Sequence, residues 1–146
     1  MELRTEIEIA ASPERVFRVL TDFSAYHEWN PLITSVAGAP SVGAELSITL
    51  SPPESDATTF RSQVLVYDEP RELRWLGKLW VSALFEGEEF FRCAEAEAGG
   101  TRFLHGVNLR GFLLKFMSER LKHVARGFVY MNQALKRRVE QSSAGS

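Results

Sequence analysis

Residues 113–139 read LLKFMSERLKHVARGFVYMNQALKRRV, and their period decides the fold. Apolar residues recur at Leu113, Met117, Leu121, Val124, Phe128, Met131, Leu135 and Val139, always three or four apart. That spacing lays one apolar stripe along a long α-helix. About thirty residues of helix at 1.5 Å each would span roughly 45 Å. Gly127 interrupts the run, and its expected role is close packing against a sheet.

Upstream of the helix the period changes. From residue 44 to 109, Leu46, Ile48 and Leu50 alternate with polar partners, as do Phe60, Ser62, Val64 and Val66. Leu73 and Trp75 begin a further strand. Two long strands, at about 84–95 and 101–109, flank Ala98-Gly99-Gly100. Turn signals at residues 51–56 and 68–71 separate the runs, which predicts an antiparallel meander. At the N-terminus, Leu3, Thr5, Ile7 and Ile9 alternate with Glu2, Arg4, Glu6 and Glu8, the pattern of a half-buried strand. Ser12-Pro13-Glu14 then caps a helix that ends near Thr21–Asp22. Residues 23–31, FSAYHEWNP, form a second short helix or turn that breaks before Pro31, with a strand from about Leu32 to Val36. The expected fold class is α+β. A curved antiparallel sheet of about seven strands, with two short helices, wraps a long C-terminal helix, and that pairing leaves room for a cavity.

The chain has 146 residues, 45% hydrophobic and 25% charged, enough for one core without a disulfide or a metal. Residues 1–141 are expected to form one domain and 142–146 a loose tail. One cysteine, Cys93, and a charged, alternating N-terminus set the expectation of a cytoplasmic protein. No apolar run reaches the ~18 residues of a membrane span. His27, His105 and His123 lack metal-ligand spacing and there is no glycine-rich phosphate loop, so neither metal nor cofactor is expected. Residues 110–146 hold eight basic groups against two acidic, while the rest holds nine against seventeen. This basic face reads first as the solvated back of an amphipathic helix, and nucleic acid is not the expected partner. Trp80, beside Gly77 and Lys78, sits at a strand end or a partner surface, and a homodimer through it or through an edge strand stays open.

Three segments carry a resemblance to a known family. They are Ile7 to Phe17 with Leu20-Thr21-Asp22-Phe23, Tyr26 and Trp29-Asn30-Pro31; Arg71-Glu72-Leu73-Arg74-Trp75 with Gly87-Glu88-Glu89-Phe90-Phe91 and Gly100-Thr101-Arg102-Phe103; and Gly127-Phe128 with Met131 to Lys136 and Glu140. Together they resemble the SRPBCC superfamily, START-like helix-grip proteins, and within it the polyketide cyclase/dehydrase-like branch. The resemblance implies a pocket between sheet and helix for a small apolar or amphipathic molecule, with no obligatory metal or nucleotide. Members include lipid carriers, cyclases and co-chaperone-like modules. Similar sequences often place a histidine where this chain has Glu89, and a glutamate where it has Val107, so that polar pair is altered here.

The candidate site follows from strand register. With Phe91 opposite His105, Glu89 faces Val107 and Cys93 faces Phe103. Period two then puts Glu89, Phe91, Cys93, Phe103, His105, Val107 and Leu109 on one inward face. Glu89 and His105 become diagonal neighbours, able to act as an acid–base pair or to stand as a plain ion pair at a wet cavity mouth. Ligand-contact candidates are Trp29, Asn30, Trp75, Glu89, Phe91, Phe103, His105, Met117, Leu121, Val124 and Phe128. Trp29 and Asn30 read equally as a structural corner, with Asn30 bonding turn backbone. Cys93 reads as a small buried hydrophobe. The leading expectation is binding of a small hydrophobic ligand. The alternatives are a cyclase or dehydratase-like enzyme using Glu89 and His105, and a co-chaperone-like or ribosome-associated interaction module.

Overall fold

The computed structural model describes residues 1–78 and 85–144, with side chains to residue 141. Strand β1 (Glu2–Ile9) leads through helices α1 (Pro13–Thr21) and α2 (Tyr26–Trp29). Strands β2 (Ile33–Ala37), β3 (Glu45–Leu50), β4 (Thr58–Asp68), β5 (Glu72–Lys78), β6 (Glu86–Glu95) and β7 (Thr101–Arg110) follow, and then helix α3 (Ser118–Ala144). The seven strands form one sheet in the order β1-β7-β6-β5-β4-β3-β2, with every neighbouring pair antiparallel. Strands β2 to β7 are a meander, and β1 closes onto β7 after the two short helices have carried the chain to the far edge. The sheet curls around α3 in the helix-grip arrangement.

Local chemistry explains the short elements. Ser12 Oγ accepts from the Arg15 amide at 3.4 Å, and Pro13 opens α1 at a position where its missing N–H costs nothing. The buried face of α1 is Pro13, Val16, Phe17 and Leu20. Register breaks between Ile33 and Ser35 and between Val64 and Val66 bend the sheet. At Gly106 a β-carbon would lie 2.4 Å from the Phe90 ring and 2.6 Å from the Leu3 carbonyl oxygen, so the β1–β7 approach there requires glycine.

Helix α3 covers the sheet's apolar face with Leu121, Val124, Phe128, Met131, Leu135 and Val139, all buried. At Gly127 a β-carbon would meet Leu32 Cδ1 at 2.5 Å and Pro53 at 3.3 Å, so the glycine packs against the segments flanking β2 and β3. Two expectations change. The helix starts at Ser118, not Leu113, because Phe112–Phe116 winds as a 3₁₀ turn after Gly111 (φ 128°) and leaves Phe112 and Phe116 exposed. The residues set aside as a tail from 142 continue the helix to Ala144, while Gly145 and Ser146 lie outside the described residues. Trp80, and the dimer contact suggested for it, also lie outside the described residues. Among the described residues no helix is long and apolar enough to cross a membrane.

Candidate functional site

Strands β6 and β7 pair with Glu89 opposite Val107, Phe91 opposite His105 and Cys93 opposite Phe103, the register that alternation predicts. All seven side chains of the expected inward face are buried. The Glu89–His105 diagonal closes into a direct bond: His105 Nε2 lies 2.6 Å from Glu89 Oε2. Trp75, from the adjacent β5, donates its indole N–H to Glu89 Oε1 at 3.1 Å. On its other side, His105 Nδ1 lies 3.1 Å from Asn132 Oδ1, on α3. Asn132 Nδ2 donates to Thr5 Oγ1 at 2.8 Å, and Thr5 donates its one hydroxyl proton to the His105 carbonyl at 2.8 Å.

This closed chain fixes the proton inventory. Thr5 spends its proton on a carbonyl, so it can only accept from Asn132. The Asn132 amide therefore turns its oxygen toward His105, and Nδ1 of the imidazole carries a hydrogen. One further proton lies in the Nε2···Oε2 bond. Whichever atom holds it, the Glu89–His105 pair is neutral in sum, which lowers the cost of enclosing it. The imidazole is held flat between two rings: Phe128 stacks at 4.0 Å and 14°, Phe91 at 4.6 Å and 24°. His105 is fully enclosed, and Glu89 is 6% exposed.

A cavity of about 140 Å³ opens under the N-terminal half of α3. Its walls include Leu50, Phe60, Trp75, Gly77, Gly87, Val107 and Leu109 from the sheet, Phe85, and Met117, Leu121, Val124 and Phe128 from below the helix. Glu89 lies on the inner wall; Lys78, Thr58 and Arg120 stand at the rim. The opposite half of α3 is clasped to β1, which explains why the space falls where it does. Besides the Asn132–Thr5 bond, Lys136 Nζ donates to the Glu8 carbonyl at 2.8 Å and to Glu140 Oε2 at 2.7 Å. Glu140 Oε2 also accepts from the Ala10 amide at 2.8 Å, and these bonds hold its carboxyl below the usual range. The N-terminal half of α3 is tied instead to the loop between β3 and β4, through Arg120 and Arg126, and the cavity lies between these two attachments.

The sequence candidates divide. Trp75, Glu89, Met117, Leu121, Val124 and Phe128 border the cavity. Phe91, Phe103 and His105 sit behind it, with Phe91 and Phe103 stacked at 6.4 Å, and meet its lining through Trp75, Glu89 and Phe128. Trp29 and Asn30 stand away from this wall. Asn30 Oδ1 accepts from the amides of Leu32 (3.0 Å) and Ile33 (2.8 Å), which is the turn-bonding role, and Trp29 packs edge-on against Tyr26 at 5.2 Å. Neither residue lines this cavity, and Trp29 Nε1 and Asn30 Nδ2 are buried without a partner among the described residues. Burial, then the carboxylates of Glu89 and Asp22, push the Tyr26 hydroxyl well above its ordinary range, so it remains a donor, to the Leu20 carbonyl. Burial pushes the Cys93 thiol up to about 12, which suits a packed hydrophobe and not a nucleophile. Among the described residues no three His, Cys, Asp or Glu side chains converge on a metal position.

Sequence reasoning missed Asn132, Thr5 and Arg120. Asn132 was findable. It lies four residues after Phe128, a polar side chain on the apolar stripe. Thr5 is likewise an inward polar position in β1. Nothing local marks Arg120.

The whole-chain comparison adds the family. A family model described as polyketide cyclase/dehydrase and lipid transport matches residues 1–140. The chain belongs to this SRPBCC-type family. No curated protein matches it in sequence. Among solved structures, the Zhui aromatase/cyclase from Streptomyces sp. R1128 is similar at TM-score 0.79 and 14% identity, over 97% of this chain and 94% of that one. TTHA0849 from Thermus thermophilus is similar at TM-score 0.77 and 17% identity, over 98% and 99%. A norcoclaurine synthase point mutant from Thalictrum flavum, in complex with a transition-state analogue, is similar at TM-score 0.74 and 12% identity, over 98% and 96%. At these identities the likeness is one of fold.

Proposed function

We propose that this member of the polyketide cyclase/dehydrase and lipid transport family binds a small hydrophobic or amphipathic molecule between its sheet and α3. The observation that supports this is the apolar cavity under Met117, Leu121, Val124 and Phe128. An apolar cavity of about 150 Å³ is enough to hold a benzene-sized guest, so the fitting class is a one-ring or short-chain body whose remainder extends through the mouth. Ligand-observed NMR with 4-butylbenzamide, a neutral one-ring probe, tests this. The protein should bind the probe, Leu121→Phe should weaken binding, and Val124→Trp should abolish it while the circular dichroism spectrum is kept. No binding by the native chain, or undiminished binding by a folded Val124→Trp variant, overturns the reading.

One observation favours a second, catalytic reading. Glu89 faces the cavity while sharing a proton with His105. A carboxyl so placed would exchange a proton with a bound carbonyl or hydroxyl compound, with His105 as its reserve and Asn132 fixing the imidazole. That is the equipment of a cyclase or dehydratase. Glu89→Gln would then lose turnover and keep ligand binding; full activity in that variant excludes the role.

A further inference from the structure

The cavity has an inner wall that is apolar apart from Glu89, and its rim is cationic. Arg120, on the first turn of α3, borders the mouth. Among the described residues its guanidinium bonds to neutral oxygens alone: Ser55 Oγ at 2.8 Å, the Asp56 carbonyl at 3.3 Å and Thr58 Oγ1 at 2.8 Å. Asp56 therefore offers its backbone, not its carboxylate. Of the other nearby acids, Glu119 pairs with Lys122, Glu54 with Arg126 and Glu86 with Arg110. The residues between Lys78 and Phe85 include no acid. Lys78, at the end of β5, adds a second positive charge to the same rim. The positive end of the α3 dipole points the same way. These three contacts occupy Nη1 and Nη2 and pin the loop between β3 and β4 to the helix. Among the described residues no carboxylate lies within ion-pair distance of the guanidinium, which stands beside an apolar hole.

We propose that the ligand is an anionic amphiphile, a carboxylate or similar acid on a small apolar body, with its body in the cavity and its charged end on Arg120. Arg120 is the specificity-determining residue, and Lys78 supports it. The inference rests on the proposed binding role of the cavity and adds the ligand's charge. It also gives the two ends of the cavity separate jobs. The outer cation selects an acid, and the inner Glu89–His105 pair meets whatever donor or acceptor the apolar end carries.

The test compares 4-butylbenzoate with 4-butylbenzamide, which share shape and differ by one charge. Dissociation constants are measured by NMR titration or calorimetry on the full chain, at two salt concentrations. The native protein should prefer the benzoate by about tenfold, the scale of a charge-assisted contact, and salt should erode the preference. Arg120→Gln should bring the ratio near one by weakening the benzoate alone. Arg120→Lys, which keeps the charge and loses the fork, should retain part of the preference. Lys78→Gln should lower it less. Equal binding of both probes by the native chain overturns this inference and leaves the cavity's binding role standing. Arg120→Gln weakening both probes equally assigns Arg120 to loop-pinning and also overturns it. Binding of neither probe overturns the binding role itself, and this inference with it.

Discussion

The proton inventory of the buried network makes a sharp prediction about Glu89. Consider Glu89→Gln. With Asn132 holding a hydrogen on Nδ1 of His105, the imidazole presents a bare Nε2 to position 89. A glutamine there donates its amide N–H to Nε2 and accepts the Trp75 indole N–H on its oxygen. Both contacts survive. Each changes from charge-assisted to neutral, a loss of about 1 kcal/mol apiece, offset by no longer enclosing a carboxylate. The net cost is at most about 1 kcal/mol. Glu89→Leu keeps approximate volume and removes both partners. It strands the Trp75 N–H and His105 Nε2, each worth about 1–3 kcal/mol when buried and unpaired. Its cost is about 2–6 kcal/mol. For a chain of this size, roughly 3 °C of melting temperature goes with each kcal/mol, so the leucine variant should melt about 3–18 °C below the glutamine variant. Thermal unfolding followed by circular dichroism reads the gap. ¹⁵N NMR of His105 should show a neutral, Nδ1-protonated ring in Glu89→Gln. Equal melting temperatures for the two variants, or an Nε2-protonated ring, would refute the hydrogen-bond assignment.

Other parts of the molecule give further expectations. Gly106→Ala drives a methyl into Phe90 and the Leu3 carbonyl, and the backbone contact cannot yield, so it should destabilise by about 2–4 kcal/mol in chemical denaturation; a loss below about 0.5 kcal/mol would contradict the close β1–β7 approach. The Glu140 carboxyl is held low by the Ala10 amide and Lys136, so its stabilisation is full above the unfolded value near 4.5 and fades as pH falls through the lower folded value. Glu140→Gln should therefore destabilise the chain at pH 7, and the difference from the native chain should vanish in strong acid; a pH-independent difference is the failing result. Cys93, with its thiol at about 12, should resist iodoacetamide in the native state and react on unfolding; rapid native labelling would contradict its enclosure.

Much of this architecture was legible before any coordinates, because it rests on periodicity. Alternation set the strands, and the three–four stripe set the helix, since burial repeats every two or 3.6 residues whatever the neighbours are. The β6–β7 register followed too. A one-residue slip would have turned Phe91, Phe103 and Val107 to solvent, so the hydrophobic effect alone chose it. From that register the closeness of Glu89 and His105 was already implied. The start of α3 was not legible. Leu113 and Met117 keep helical spacing, but Gly111 turns the chain so that Phe112–Phe116 winds as 3₁₀, and period alone cannot register a positive φ.

Tertiary structure decided the rest, because each remaining feature joins residues far apart in the chain. Asn132 meets His105 and Thr5 across 27 and 127 positions. Arg120 reaches Ser55 and Thr58 across more than sixty. The cavity lies where α3 spans from its bonds to β1 at one half to its bonds with the loop between β3 and β4 at the other. Sequence alone therefore determined which faces are apolar and how the strands pair, through local period and burial. Where those faces fail to meet, and which charges border the gap, depends on the angle between helix and sheet, a quantity no single segment encodes.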